Sequence, residues 1–181
     1  MGSLQLSKLH VNEINAKGSD VTAITINNSG FVAPKVPLFR AVLTSNQTGL
    51  ASNQYHLIDF SGHGTVEVDN CNGWDSANEK WTPTVAGWYQ VNAVLDCGAG
   101  SIRAAGPVVY KNGSLHTQNI LWLGAESYGD DIGGSFSTII ELNGSTDYIQ
   151  LYGYLYDSGA GTDDFVGGNG KTGFSAHFVS R

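Results

Sequence analysis

The stretch Trp81–Asp96, WTPTVAGWYQVNAVLD, decides how the chain folds. It begins with a turn at Thr82-Pro83-Thr84 and a second break at Ala86-Gly87, and a regular alternation follows. One set of side chains is largely apolar: Tyr89, Val91, Ala93 and Leu95. The other set is mixed: Trp88, Gln90, Asn92 and Val94. Because successive side chains leave opposite faces of a strand, this alternation predicts a half-buried β-strand whose first set fills a core.

The composition favours strands joined by tight turns. Of 181 residues, 24 are Gly, 41% are apolar and only 14% are charged. No segment repeats apolar residues at helical spacing, so the sequence predicts a nearly all-β chain. The net charge of −7 argues against a nucleic-acid partner, which requires a basic stripe that neutralises phosphates. Apolar runs are too short to span a bilayer, so we expect no membrane insertion.

Short apolar runs separated by turns predict nine strands from residue 37 onward, including the one just described. Asn112-Gly113 is a strong hairpin signal because this pair accepts the positive φ angles of a type I′ turn, and Asn143-Gly144 ends a later strand in the same way. Nine strands with Gly-rich loops suit two packed sheets. The predicted strands cover 37–43, 54–60, 65–69, 87–96, 105–111, 114–122, 134–142, 147–156 and 172–180.

The strand predicted at 147–156, DYIQLYGYLY, has an aliphatic face and an aromatic face. The aliphatic face, with Ile149, Leu151 and Leu155, belongs to the core. The other face carries Tyr148, Gln150, Tyr152, Tyr154 and Tyr156. Two interpretations stay open: another subunit or a neighbouring loop covers this face, or it is an exposed tyrosine ladder held by cross-strand pairs. The first interpretation makes Tyr152 and Tyr154, together with Trp88 and Gln90, the predicted interface between copies.

The first part of the chain has a different pattern. Its alternation is weak, as at Ile24 and Ile26, and polar turns interrupt it at 17–20 and 27–30. Too little apolar surface is present for a core of its own, so burial is expected to come from other copies. We therefore predict an N-terminal neck at 1–37 and a head domain at 38–181, with a flexible tail as the alternative for the neck.

Several motifs follow one another in order along the head: Lys80-Trp81-Thr82-Pro83, Ala86-Gly87-Trp88-Tyr89, Tyr110-Lys111-Asn112-Gly113 and Thr172–Phe178 (TGFSAHF). This succession resembles the globular head of complement component C1q, a jelly roll shared with the tumour necrosis factor family. In the neck, Leu9–Asn15 and Ile24–Gly30 resemble the short β neck found before the tips of bacteriophage tail fibres. Together the resemblances imply a jelly-roll β-sandwich on a short β neck, assembled as a homotrimer, with recognition by loops at the far end.

The resemblance also implies a function, that of a non-enzymatic receptor-binding tip of a tail fibre. Such a tip is part of the virion, is joined to an upstream fibre or tail protein, and binds a glycan or protein of the host surface. A secreted C1q-like lectin or adhesin of a bacterium or animal is the alternative. A glycan depolymerase is the alternative of another class; it needs two carboxyl groups held close together, whereas the neighbours in Asp130-Asp131 and Asp163-Asp164 diverge in an extended chain.

Aromatic and acidic residues in the loops are the predicted receptor contacts: Trp74, Asp75, Trp122, Tyr128, Asp130, Asp131, Asp163 and Asp164. Exposed rings beside Asp and Asn stack on sugars, but the same rings also plug the ends of jelly rolls. We expect no catalytic residue.

Cofactor chemistry has few candidates in this sequence. The five His are scattered without ligand spacing, so no metal site is predicted from them. Solvated acidic loops are the first expectation for the Asp clusters, and a bound Ca²⁺, which takes carboxylate oxygens from flexible loops, is the alternative. Cys71 and Cys97 lie at predicted loop edges and are either a disulfide or two free thiols.

Overall fold

A computed structural model describes residues 13–15, 22–26, 32–34, 36–98, 101–123, 132–159 and 163–181. The chain separates into two compact units, Met1–Val36 and Pro37–Arg181. The described residues are mostly in strands, with one short helix, which confirms the predicted all-β class. In the described part of the chain, no helix has the length and apolar character needed to cross a bilayer.

The first unit contains a three-stranded antiparallel sheet. Its strands are β1 (Glu13–Asn15), β2 (Thr22–Ile26) and β3 (Val32–Pro34), with β2 in the centre. The turns predicted at 17–20 and 27–30 lie outside the described residues. Strands this short gain little stability alone, as the thin apolar pattern of the neck predicts.

The second unit contains the remaining strands and one short helix, α1 (Phe60–His63). The strands are β4 (Leu38–Leu43), β5 (Gln47–Leu50), β6 (Gln54–Leu57), β7 (Gly64–Asp69), β8 (Trp74–Asp75), β9 (Lys80–Trp81), β10 (Gly87–Gly98), β11 (Ile102–Lys111), β12 (Ser114–Gln118), β13 (Leu121–Trp122), β14 (Ile132–Leu142), β15 (Ile149–Asp157), β16 (Asp163–Phe165) and β17 (Gly173–Ser180). They form two antiparallel sheets of seven strands each.

The first sheet consists of β4, β5, β7, β10, β14, β16 and β17, and the second sheet of β6, β8, β9, β11, β12, β13 and β15. Strand β10 lies inside the first sheet, with β14 on one side and β17 and β16 on the other. Strand β15 has the corresponding place in the second sheet, where it pairs with β11 on one side and with β6 and β9 on the other. The alternation of apolar and polar residues predicts the central part of each of these two strands.

Apolar side chains from both sheets form one core. Tyr89, Val91, Ala93 and Leu95 are all buried, which confirms the predicted inward face of β10. Ile149, Leu151 and Leu155 of β15 are also fully buried. The period-two pattern therefore predicted the orientation of both central strands correctly.

The turn between Trp81 and Tyr89 is held against this core by its two aromatic residues. Trp81 and Tyr89 are fully buried and pack edge to face, with ring centroids 5.6 Å apart. The Tyr89 hydroxyl donates a hydrogen bond to the main-chain oxygen of Val85 at 2.6 Å, so the turn between the two aromatics is tied to the ring. Burial raises the pKa of Tyr89 to about 12, which keeps the hydroxyl protonated as the donor.

Several sequence predictions are wrong in detail. The strand predicted at 54–60 ends at Leu57 because the Asp59 carboxylate accepts from the Gly62 main-chain N–H at 2.7 Å and begins helix α1. The strand predicted at 114–122 is broken at 119–120, where the Asn119 main-chain N–H turns to the oxygen of Pro107. Strands β5, β8, β9 and β16 were not predicted.

Two further predictions concern turns and thiols. Asn112 and Gly113 both have positive φ angles, 52° and 76°, as the predicted hairpin requires. Cys71 and Cys97 do not form a disulfide, so the disulfide alternative does not apply. Cys97 is buried and lies one residue before the end of β10.

Replacing Tyr89 with Phe is expected to lower the free energy of unfolding by about 1 kcal/mol, because the hydroxyl that holds Val85 is lost while the ring stays. Urea unfolding of the variant and the parent protein measures this difference. The matched control is Tyr148→Phe, since the ring face of Tyr148, not its hydroxyl, lies under the Lys80 ammonium group. Equal destabilisation by both substitutions contradicts the assigned role of the Tyr89 hydroxyl.

Candidate functional site

Six aromatic side chains gather on the outer face of the second sheet: Tyr55, Tyr110, Trp122, Tyr152, Tyr154 and Tyr156. We call this group the aromatic face. Tyr110 and Tyr152 are stacked with ring centroids 4.1 Å apart, and Tyr55 lies 5.1 Å from Tyr154. The Trp122 ring extends the group, with its centroid about equally far from Tyr154 and Tyr156, 6.2 and 6.1 Å.

The alternation of β15 and the small residues of β11 build the aromatic face. Tyr156, Tyr154 and Tyr152 pair across the sheet with Ala104, Gly106 and Val108, so each large ring faces a smaller residue. At Gly106 a side chain would collide with the main-chain oxygen of Asn119. The segment that contains Asn119 therefore lies close to the main chain of Gly106. This segment leads into β13, which places Trp122 beside the rings.

Part of the aromatic face is a small second core. Ala104, Val108 and Tyr154 are buried there, and Tyr110, Tyr152 and Tyr156 pack against them. Both interpretations of the tyrosine face therefore contribute: cross-strand contacts hold the rings, and Tyr55 and Trp122 of neighbouring strands cover part of them. The structure contains one chain and leaves coverage by another subunit a prediction.

The remaining part of the aromatic face is open to solvent. Trp122 is 61% exposed and Tyr55 41%, whereas Tyr154 is only 7% exposed. The Tyr154 hydroxyl donates to Asn53 Oδ1 at 2.8 Å and the Tyr55 hydroxyl to Gln118 Oε1 at 3.1 Å. Buried rings thus support exposed ones, and amide groups lie at the margin.

The side chains of the aromatic face carry no charge at physiological pH. Burial raises the pKa of Tyr154 and, with the nearby Tyr55 and Tyr152, that of Tyr110. These hydroxyls therefore remain protonated at physiological pH. Exposed rings beside neutral donors and acceptors provide what a sugar requires, namely an apolar surface for its C–H groups and partners for its hydroxyls.

The predicted receptor contacts do not form one site in the structure. Trp74 is half-buried and stacks on Phe39 with centroids 5.3 Å apart, which agrees with the end-plugging alternative. Asp75 accepts from the Asn78 amide at 2.8 Å and the Ala77 main-chain N–H at 3.1 Å, and so it stabilises its own turn. Of the predicted contacts that the structure describes, Trp122 alone belongs to the aromatic face.

The two acidic candidates that the structure describes at β16 differ in their exposure to solvent. Asp163 is completely buried, so its prediction as a receptor contact is wrong. It points inward because β16, which was not predicted, pairs with β5 and β10 inside the first sheet. Asp164, the next residue, is half-exposed on the other side of β16. Tyr128, Asp130 and Asp131 lie outside the described residues.

The four predicted interface residues lie on two different surfaces. Trp88 and Gln90 are on the outer face of the first sheet, where Trp88 is 43% exposed. Tyr152 and Tyr154 belong to the aromatic face of the second sheet. Because these are the two outward faces of one sandwich, a single patch cannot contain all four residues.

Sequence analysis missed Tyr55, Tyr110, Asn53 and Gln118 as parts of this site. Tyr110 was noticed only as part of a hairpin signal. Tyr55 shares a face with the β15 tyrosines because β6 pairs with β15, about a hundred residues away in sequence. The alternation in Gln54–Leu57 indicates a strand but does not indicate which strand it pairs with.

No metal centre of three or more His, Cys, Asp or Glu side chains is present among the described residues.

The two antiparallel sheets, packed over one core, define a C1q/TNF-like jelly roll. The sequence matches no family model and no curated protein, but a solved structure shares the fold. Murine APRIL superposes with a TM-score of 0.54 at 10% identity, over 80% of this chain and 100% of that chain. The globular domain of zebrafish complement 1qA matches with a TM-score of 0.49 at 14% identity, over 81% of this chain and 98% of the other.

The exposed and buried members of the aromatic face are expected to differ in their effect on stability. Trp122→Ala and Tyr55→Ala should lower the free energy of unfolding by about 1 kcal/mol at most, because these residues are 61% and 41% exposed to solvent. Tyr154→Ala should cost about 3 kcal/mol, because it opens a cavity beneath them. Urea unfolding measures all three, and a large loss in Trp122→Ala contradicts its description as an exposed ring.

Proposed function

We propose that the chain is the non-enzymatic receptor-binding head of a homotrimer, and that its aromatic face binds a carbohydrate of a cell surface. The single observation that carries this proposal is the group of exposed rings resting on buried ones, with neutral amides at its margin. A rigid support matters because binding then requires little ordering of side chains, and less affinity is lost to conformational entropy.

The choice of a carbohydrate follows from the chemistry of the face. The outer rings of Trp122 and Tyr55 present apolar surface, and the surrounding hydroxyl and amide groups are uncharged. An anionic ligand finds no cluster of cations on these six side chains, and the chain as a whole has a net charge of −7. A neutral glycan is therefore favoured over a phosphate-rich or acidic one.

The homotrimer is supported by the outer face of the first sheet. Trp88, Ile139 and Leu38 are large apolar side chains with 43%, 55% and 41% exposure. Polar side chains lie beside them: the Gln90 amide donates to Ser137 Oγ at 2.8 Å, and Glu141 pairs with Trp88 across the sheet. A groove of about 410 Å³ adjoins this patch, with Arg40, Asn92 and Ser175 in its lining.

The occupant of this patch is proposed to be another copy of the chain. Every copy carries the same net charge of −7, so copies associate most readily through a surface with large exposed apolar side chains. Packing around a threefold axis on the first sheet leaves the aromatic face of the second sheet on the outside. The fold shared with murine APRIL is consistent with this arrangement.

A position at the tip of a viral tail fibre is the setting that we propose for this head. The three-stranded β unit before the head supports it, because the sequence of that unit resembles a fibre neck. Three weak glycan sites on one trimer then act together, so that avidity replaces a strong single site. In this setting the neck joins the head to an upstream fibre or tail protein.

Glycan-array binding tests the aromatic face. Trp122→Ala and Tyr55→Ala are each expected to reduce binding at least about tenfold, since loss of one stacked ring costs roughly 1–3 kcal/mol by analogy with aromatic stacking on bases. The matched control is Leu121→Ala, which removes an exposed apolar side chain (47% exposed) next to Trp122. Full binding by both ring variants contradicts the proposed site, and release of reducing sugar by the parent protein favours a depolymerase.

Light scattering coupled to size exclusion tests the assembly. The parent protein is expected to elute at three times the 19.2 kDa chain mass. Trp88→Asp and Ile139→Asp should shift it towards the monomer, because each places a charge in the apolar contact. Leu115→Asp, on the second sheet and 44% exposed, is the control that should remain trimeric. A monomeric parent protein at micromolar concentration overturns the trimer.

A further inference from the structure

The chain contains four Asn-Gly pairs, which begin at Asn72, Asn112, Asn143 and Asn169. An asparagine in such a pair loses its side-chain amide readily, because glycine has no Cβ and leaves its main-chain nitrogen open to approach. The dipeptide is the same at all four positions. The surroundings of each pair therefore determine which of them reacts in the folded protein.

The reaction needs a side chain that can turn and a glycine nitrogen that is available. The main-chain nitrogen of the glycine attacks the side-chain Cγ of the asparagine and forms a bond to it. The bond from Cγ to Nδ2 breaks, and Nδ2 leaves as ammonia with the proton of the glycine N–H. Water then opens the five-membered imide at one of its two carbonyl carbons. The product is aspartate or isoaspartate, in which the main chain continues through the side-chain carboxyl carbon.

The pairs Asn112-Gly113 and Asn169-Gly170 have similar main-chain conformations. Their φ angles are 52° and 76° in the first pair and 51° and 71° in the second. Both asparagines are exposed to solvent. Neither the φ angles nor access to water distinguishes the two pairs, so their hydrogen bonds decide between them.

Hydrogen bonds hold the side chains of Asn112 and Asn143. Asn112 Nδ2 donates to Asp147 Oδ1 at 2.8 Å, and Asn112 Oδ1 accepts from the Tyr148 main-chain N–H at 2.9 Å. Asn143 Oδ1 accepts from three main-chain N–H groups of the turn that follows it, at 2.9 to 3.0 Å. These bonds must break before either side chain can turn towards its glycine.

Asn169 has neither of these restraints. Among the described residues, no group forms a hydrogen bond with its side chain, and the Gly170 N–H donates to no acceptor. The Asn72 side chain also has no hydrogen bond within the described ranges, but the Gly73 main-chain N–H donates to the Asp69 carboxylate. The nitrogen that would have to react at Asn72 is thus held, whereas at Asn169 both reacting groups are available.

We propose that Asn169 is a site of spontaneous deamidation in the folded protein. The loop around it joins β16 to β17, and the Gly168 N–H holds it to the main-chain oxygen of Leu43 at 2.9 Å. Arg40 and Gly170 both line the groove of about 410 Å³ on the first sheet. Deamidation therefore adds a negative charge at the edge of this groove, and isoaspartate also adds one carbon atom to the main chain there.

Peptide mapping by mass spectrometry tests the proposal on the full chain after incubation at pH 8 and 37 °C. Asn169 is expected to convert to the acid at least about tenfold faster than Asn112, because each bond that holds the Asn112 side chain reduces its open population about fivefold. Asn72 and Asn143 should also convert more slowly than Asn169. In urea these differences should disappear, since the unfolded chain lacks the bonds that cause them.

Two variants provide matched controls. Asp147→Ala removes the acceptor of the Asn112 amide, so the rate at Asn112 should rise severalfold while the rate at Asn169 stays unchanged. Asn169→Gln should abolish the main acidic form in ion-exchange chromatography, because a longer side chain closes the corresponding ring far more slowly. Equal rates at Asn169 and Asn112 in the folded parent protein, or faster conversion at any other pair, overturn the proposal. This comparison needs only the parent protein, so it decides the question even where a variant does not fold.

Discussion

The contact between Trp81 and Tyr89 is the interaction on which the head depends. Trp81 belongs to the second sheet and Tyr89 to the first, so their edge-to-face packing joins the two layers. Phe39 of β4 stacks on Trp81 at 5.2 Å and extends the contact along the first sheet. The indole N–H donates to Asp69 Oδ1 at 3.2 Å, so the large ring is buried without an unpaired donor. With both sheets held at this point, the inward face of each central strand is determined.

Because side chains alternate in a strand, a fixed inward face also determines what lies outside. In β10 the inward set includes Tyr89, and Trp88 is consequently directed outward. In β15 the inward aliphatic residues leave the tyrosines outside, where Tyr55 and Trp122 join them. The core therefore generates two outward surfaces of different character: one with exposed apolar side chains on the first sheet, and the aromatic face on the second. In the proposed trimer, contact through the first sheet leaves the aromatic face of the second sheet available to a ligand.

The parts of the fold that could be predicted from sequence are those with local signals. The orientations of β10 and β15 follow from their alternation, and the hairpin at Asn112 follows from the φ angles that its residues accept. The strands that were missed are two to four residues long, and pairing with distant strands defines them: Phe165 of β16 pairs with Gln47. No periodicity develops over so few residues. The same long-range pairing buries Asp163, which the sequence alone suggested to be a loop residue, and brings Tyr55 to the aromatic face.

Hydrogen bonds at the end of β15 connect that strand to the segment that leads into β6. Asp157 follows Tyr156 directly, and its main-chain N–H donates to Ser52 Oγ at 2.9 Å, while the Ser52 hydroxyl donates to the Asp157 main-chain oxygen at 2.9 Å. Ser52 precedes Asn53, which accepts from the Tyr154 hydroxyl. These bonds therefore join β15 and β6, the two strands that carry four of the six rings. The rings of the aromatic face are thus held by main-chain pairing and by side-chain bonds at the strand ends, and this support is what lets Tyr55 lie open to solvent in a fixed position.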